Sequence, residues 1–413
     1  MSGGIENETG TVWRDGRAIA LLAAATLTVM ANATLSPALA GLAEIFSDTP
    51  NGAFLIRLLV PAPSLAVVIL APLIGLAADR FGRTSLLLAG IALFSVAGSA
   101  GLYLPDLWSI LISRLGLGVA VALIMVTQTA LLGDLFTGAK RKALTGLQTS
   151  ARNFGGLVFI SLSGLVASIS PRFSFGIYAL SVLVLPLVMA FVREPEHLSG
   201  GTRSASELAD RSGPVRTIGW TWPMAGLAIL QMLTNLSFFV MPTQVPFLFA
   251  ARGENSALMT GLTLGLLSLT GGLTALGFAR VSGRIGPAFV FALGFVSLAL
   301  GLLLVGTGGG NLSVLGGAIL AGAGYATLLP NLVALTLRIA PVARRGTASG
   351  ILTTVVFLGQ FASPFVSQPL LERAGFGGMF ASFAGVLGLV ALCSFGVGLR
   401  FRRKTGAERS ESA

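Results

Sequence analysis

The sequence predicts an all-α membrane protein of twelve transmembrane helices arranged as two six-helix pseudo-repeated halves. Three observations predict it: an apolar, charge-poor composition, charges confined to short segments between apolar stretches, and self-similarity at a constant offset of 204 residues. The 413-residue chain is 54% hydrophobic and 10% charged, with a mean hydropathy of +0.86. A soluble globular chain carries about 25% charged residues. With less than half of that, a body of this size cannot cover its apolar interior from water, so lipid is the solvent of most of it. One cysteine, Cys393, and one histidine, His197, exclude a disulfide framework and a His-rich metal site. The net charge of +11 would suit nucleic acid only if the basic residues gathered on a soluble face, whereas they sit one to five at a time between apolar runs. The lipid bilayer is the expected partner. Nucleic acid, metal, cofactor and catalytic residues are not expected, and the chain is expected to act as a monomer.

A helix needs ~20 apolar residues to cross hydrocarbon. Measured against that length, the stretches between charges place spans at 18–40, 54–78, 84–104, 107–132, 143–168, 174–192, 219–241, 257–278, 287–305, 312–336, 347–367 and 377–399. Arg14 and Arg17 precede the first, and Ala38-Leu39-Ala40 mimics a signal-peptidase site, but its apolar run exceeds the ~7–15 residues of a signal peptide's apolar region, so it is kept as a span. Spans nine and ten are the hardest to part. The 53 residues between Arg284 and Arg338 carry no charge, and only the glycine-rich segment from Gly306 to Asn311 can turn the chain. Pro61 and Pro63 in span two, Pro242 and Pro246 after span seven, and Pro364 in span eleven free backbone groups and favour kinks.

An even number of spans puts both termini on one side, and charge names the side. With the termini in the cytoplasm, 21 of the 27 Lys and Arg residues fall inside. Arg172, Arg252 and Arg373 fall outside, and Arg57, Arg114 and Arg152 lie within spans. This predicts a multi-pass protein of the cell membrane.

The longest polar segment, from Arg193 to Thr217, reads as a cytoplasmic linker between six spans and six, giving an N-terminal half at 1–192, a linker at 193–217 and a C-terminal half with a basic tail at 218–413. Across it the offset of 204 aligns Arg80 and Gly82 with Arg284 and Gly286, Gly118 with Gly322, and Arg141 and Gly146 with Arg345 and Gly350. Parallel repeats of six spans enclosing a midplane substrate site are one known architecture of secondary transporters.

The segment Gly75-Leu-Ala-Ala-Asp79-Arg80-Phe-Gly82-Arg83-Thr84, in the loop after span two, resembles the major facilitator superfamily signature G-x-x-x-D-R-x-G-R-[RK], departing only at Thr84. Arg114 and Gly118 resemble a second motif of that family, R-x-x-x-G. The resemblance covers the whole chain and implies the family's twelve-helix fold and alternating-access transport. It also implies that contacts of the Asp79 loop latch one half to the other while the protein is open outward. Gly75 and Gly82 relieve steric limits where helices approach and the chain reverses. Asp79 can cap a helix N-terminus and pair with Arg80 or Arg83, and Asp134 is a natural second partner for Arg83. The third motif of the family's exporters, with Gly-Pro in span five, is missing: the glycines from Gly155 to Gly164 have no proline among them.

Charge inside a bilayer is expensive, so an embedded ionisable residue is a functional candidate. Arg57 begins span two near the outside and can snorkel to headgroups. Arg114 lies ~9 Å down span four, and Arg152 lies ~15 Å past Lys142 in span five, close to the midplane. Gln148, Asn153, Asn32 and Gln128 are placed to line a polar cavity with it. A guanidinium's fork of donors suits a carboxylate, phosphate or sulfonate, which predicts an anionic or zwitterionic cargo. Coupling to protons would need Glu44, Asp79, Asp134 or ionisation of the substrate, since His197 falls in the linker. No ATP-binding G-x-x-x-x-G-K-[ST] occurs. The expected activity is proton-linked efflux of a small-molecule substrate that is anionic, zwitterionic or amphiphilic, the partners being that substrate and protons, with proton-coupled uptake of an organic anion and a lipid-handling or non-transport role on the same scaffold as alternatives. A membrane enzyme is excluded by the want of a nucleophile beside a base.

Overall fold

The computed structural model describes residues 15–194, 220–282, 286–341 and 344–411. Most of the expected linker, with His197, lies outside the described residues. Ten helices among those described are long and apolar enough to cross a membrane, and one bent pair makes an eleventh crossing. In chain order span one is Gly16–Ile45, span two the pair Gly52–Leu58 and Ala62–Ala78, span three Arg83–Leu102 and span four Leu107–Leu135. Spans five to ten are Ala143–Ala167, Pro171–Phe191, Thr221–Ala251, Ser256–Gly277, Ala288–Thr307 and Asn311–Ile339. The remaining helix, Arg345–Leu399, holds 55 residues, about 80 Å at ~1.5 Å per residue against a hydrocarbon core of ~30 Å. Gly375 breaks it with φ 66° and ψ −177°, a conformation open to glycine. It therefore supplies spans eleven and twelve, and the fold is the twelve-helix one.

The uncharged stretch between Arg284 and Arg338 is parted at Gly308–Gly310, between the ends of spans nine and ten. In span two the two helical pieces meet at 46°, with Pro61 and Pro63 at the break, where a proline has no amide hydrogen to offer the preceding turn.

Span seven corrects one expected boundary. It runs to Ala251 rather than 241, with Pro242 and Pro246 inside the helix instead of after it. Membrane helices tolerate prolines because neighbouring groups satisfy the carbonyls they release, so a Pro-rich end was a poor stop signal.

Two compact units divide the chain: Met1–Thr217 with Pro242–Leu262, and Ile218–Met241 with Thr263–Ala413. The first takes in the second part of span seven and the start of span eight. Within each unit small residues set the helix spacing. Gly90 faces Leu123 and Ile124 across spans three and four, and Gly294 faces Leu328 across spans nine and ten. Both positions in the pairs Gly90–Ile124 and Gly294–Leu328 differ by the same 204 residues.

Candidate functional site

The three embedded arginines have different surroundings. Arg57, on the short first piece of span two, is 6% exposed. Its Nε donates to Gln244 Oε1 at 3.1 Å and its Nη1 to the Ala53 carbonyl at 2.7 Å, while the guanidinium lies 3.8 Å from the centre of the Phe247 ring. Gln244 and Phe247 belong to the prolonged end of span seven, so extending that helix brings them to Arg57.

Arg114 is fully buried in the first unit. Its Nη2 donates to the carbonyls of Ala97 and Gly98 at the end of span three. The guanidinium stands 5.0 Å from the Phe175 ring centre and 4.7 Å from that of Tyr178, both on span six. Carbonyl dipoles and ring faces compensate a desolvated cation here, which makes Arg114 a tie between spans three, four and six.

Arg152 contrasts with both. It lies nine residues into span five, about 13 Å along the axis. Its Nε is buried with no hydrogen-bond partner, and among the described residues the side chain has no ion pair. One turn earlier on the same helix, Gln148 donates to Gln128 Oε1 at 2.8 Å, and Gln128 Nε2 donates to the Leu21 carbonyl at 3.0 Å. Both amides are buried, so this relay joins spans one, four and five beside Arg152. Asn153 is half-buried and returns its Nδ2 to Thr149 O of its own helix at 3.1 Å. Asn32 is half-buried in span one, and Glu44 is exposed near its end.

The loop after span two shows a different chemistry. Gly82 turns the chain with φ 86°, a value that disfavours any side chain. The steric role expected of Gly75 is not seen: a Cβ there would meet nothing within 4 Å. Arg83 Nη1 forms an ion pair with Asp134 Oδ2, joining this loop to the end of span four. The N-terminus of span three is capped by Glu194, whose Oε1 and Oε2 accept from the backbone amides of Arg83 and Thr84 at 2.6 and 2.7 Å. A carboxylate placed there satisfies two orphan donors and the positive end of the helix dipole together. The Asp79 side chain lies outside the described residues, and Arg80 is exposed, 5.5 Å from the Phe81 ring centre.

Asp15 caps span one and binds Arg17, with Nε to Oδ1 and Nη2 to Oδ2 both at 3.1 Å, and Lys140 at 2.9 Å. The hydrogen bonds from the Arg17 side chain, reinforced by Lys140 and opposed by partial burial, hold the Asp15 carboxyl well below the usual carboxylate range.

Glu194, Gln244 and Phe247 escaped the sequence reading, which looked for charges inside spans and for the loop signature. Gln244 sits two residues past Pro242, at what read as the end of a helix.

The family model described as Major Facilitator Superfamily matches residues 21–277 and again 227–413. The class C tetracycline resistance protein of Escherichia coli is 28% identical over 298 residues, 70% of this chain and 72% of that protein. Multidrug resistance protein 1 of Bacillus subtilis (strain 168) is 27% identical over 135 residues, 32% of this chain and 34% of that one. The crystal structure of a D-xylose-proton symporter superposes with a TM-score of 0.74 over 92% of this chain and 96% of that one at 18% identity, a likeness of fold alone.

Proposed function

Because the chain belongs to the Major Facilitator Superfamily, and is thus a multi-pass membrane transporter of small molecules, we propose that it exports an organic anion or zwitterion from the cytoplasm by alternating access, in exchange for protons. The observation that carries the substrate class is the Arg152 guanidinium deep in span five, whose Nε is buried and which has no partner among the described residues. Arg57 meets an amide, a carbonyl and a ring, and Arg114 two carbonyls and two rings although its Nε and Nη1 are buried without a partner; among the described residues Arg152 meets neither an acceptor nor a ring. Arg152 is half-buried, with its Nε out of contact with solvent; a cation partly desolvated without a counter-charge is costly, and a cargo with a carboxylate, sulfonate or phosphate offsets that cost while bound. The fork of guanidinium donors gives such a group bidentate geometry.

Export is supported by relatives whose names record resistance, since a transporter protects against an internally acting compound by lowering its concentration inside. The excess of Lys and Arg in alternate loops supports cytoplasmic termini. On this topology Gly75, Asp79, Arg80, Gly82, Arg83 and Asp134 form a cytoplasmic gate where spans two, three and four meet the loop, and the exchanged proton rides on Glu44, Asp79 or Asp134.

The test is flux in inside-out vesicles with an imposed pH gradient, comparing carboxylate, zwitterionic and ammonium probes. Uptake of the carboxylate or zwitterion into vesicles acidic within is expected, with at least a tenfold loss in Arg152→Ala at unchanged membrane insertion. Wild-type flux in that variant, or transport confined to ammonium probes, overturns the substrate class. Movement of the carboxylate only out of the vesicles overturns export.

A further inference from the structure

The second unit contains a polar aromatic group that none of the loop or arginine chemistry uses. Gln231, Asn235 and Phe238 follow one another on span seven at spacings of four and three, and so share a helix face. Asn235 is fully buried. Its Nδ2 donates to the Gln231 carbonyl at 2.8 Å, and its Oδ1 accepts from the Tyr325 hydroxyl at 2.7 Å. Gly359 of span eleven packs against the Met232 carbonyl and Asn235, where any side chain would displace backbone. Asn235 is therefore fixed on both sides and fixes Tyr325 in turn. The Tyr325 ring lies parallel to that of Phe238, with centroids 3.7 Å apart and planes 13° apart, and both rings remain half-buried. Gln231 is 1% exposed, yet its Nε2 has no hydrogen-bond partner. Tyr325 is the central residue of span ten, and Asn235 lies fourteen residues from the start of span seven, so the group sits at mid-bilayer depth.

We propose that Phe238, Tyr325 and Gln231 form a cargo subsite that takes a flat, conjugated ring carrying a hydrogen-bond acceptor. The proposal rests on the transport reading and narrows its substrate class. A stack held rigid by a buried amide offers a preorganised flat surface, aromatic partners prefer such a surface to a saturated ring, and the free Gln231 N–H supplies a donor that a carbonyl or carboxylate would satisfy.

Equilibrium dialysis on the full-length protein in detergent tests it with 2-naphthoate, the saturated decahydro-2-naphthoate and 2-naphthylmethylammonium. The expected result is at least tenfold tighter binding of 2-naphthoate than of its saturated counterpart, with the ratio falling below threefold in Phe238→Leu. Gln231→Leu is expected to weaken both carboxylates about fivefold and keep the ratio. A wild-type ratio near one, or an undiminished ratio in Phe238→Leu protein that melts like the wild type, overturns the subsite; Phe238→Met carries the same test where the leucine variant does not fold. Binding of the flat ammonium but of neither carboxylate, lost in Phe238→Leu, overturns both the acceptor requirement at Gln231 and the anion reading, and leaves only a stacking surface. No binding of any flat probe overturns the subsite and leaves the anion reading to the flux experiment.

Discussion

Gly118 and Gly322 make the same contact in their own halves. A Cβ at Gly118 would strike the Pro63 carbonyl and Ala66, and one at Gly322 would strike the Leu267 carbonyl and Thr270. All three correspondences, 118 with 322, 63 with 267 and 66 with 270, are separated by 204 residues. Gly146 and Gly350, another pair at that offset, have nothing within 4 Å of the added atom. Gly118→Ala and Gly322→Ala are therefore expected to destabilise the protein to similar extents, by about 1–3 kcal/mol each, because backbone must move. Gly146→Ala and Gly350→Ala should cost nothing measurable. Melting of the four purified variants decides it, and equal losses in all four would refute the assignment.

The Arg57–Gln244 contact should show as a coupling energy. Gln244→Leu withdraws an acceptor from a buried guanidinium, an expected loss of about 1–3 kcal/mol. Arg57→Met removes the charge as well. In a double-mutant cycle the pair is expected to fall short of additivity by about 0.5–3 kcal/mol. Strict additivity would mean that the two side chains do not support one another.

Acid should weaken the anchorage of span one. The folded-state Asp15 carboxyl titrates below its unfolded value of about 4, so its contribution is complete above that pH and disappears as pH falls through the folded value. Asp15→Asn is expected to be less stable than the wild type at pH 7, with a shallower decline below pH 5. Parallel pH profiles would show that Arg17 and Lys140 do not stabilise that carboxylate.

In the loop after span two, stability and turnover should separate. Glu194→Ala leaves the amides of Arg83 and Thr84 without their cap and is expected to cost about 0.5–2 kcal/mol. Asp79→Asn is expected to slow turnover while leaving substrate affinity within about twofold, as a gating role requires. Unchanged turnover in flux assays would remove Asp79 from the gate.

The fold was legible because lipid imposes a length and a charge pattern that the chain obeys locally. The break at Gly375 and the turn at Gly308–Gly310 fall where polar or glycine-rich residues interrupt apolar runs. The end of span seven was not legible, since Pro242 and Pro246 signal a stop only in water, where no neighbouring helix satisfies the freed carbonyls. For the site, depth could be counted but partnership could not. Arg114 and Arg152 look alike in sequence, and only the approach of span six distinguishes a cation against two rings from one with no partner among the described residues. Gln231, Asn235 and Tyr325 escaped the sequence reading too, since nothing local said that span ten would meet span seven there.

The shared backbone plan makes the differences between the halves informative. Positions 204 residues beyond Arg57, Arg114 and Arg152 are Gly261, Ala318 and Val356, and those 204 before Gln231, Asn235, Phe238 and Tyr325 are Leu27, Ala31, Thr34 and Val121. The scaffold repeats while the side-chain chemistry differs: the first half holds the embedded cations beside the Gln128–Gln148 relay, and the second holds Asn235 with the stacked Phe238 and Tyr325 rings. The offset of 204 thus supplies an engineering coordinate: Val356→Arg combined with Arg152→Val carries the guanidinium to the corresponding position of the other repeat.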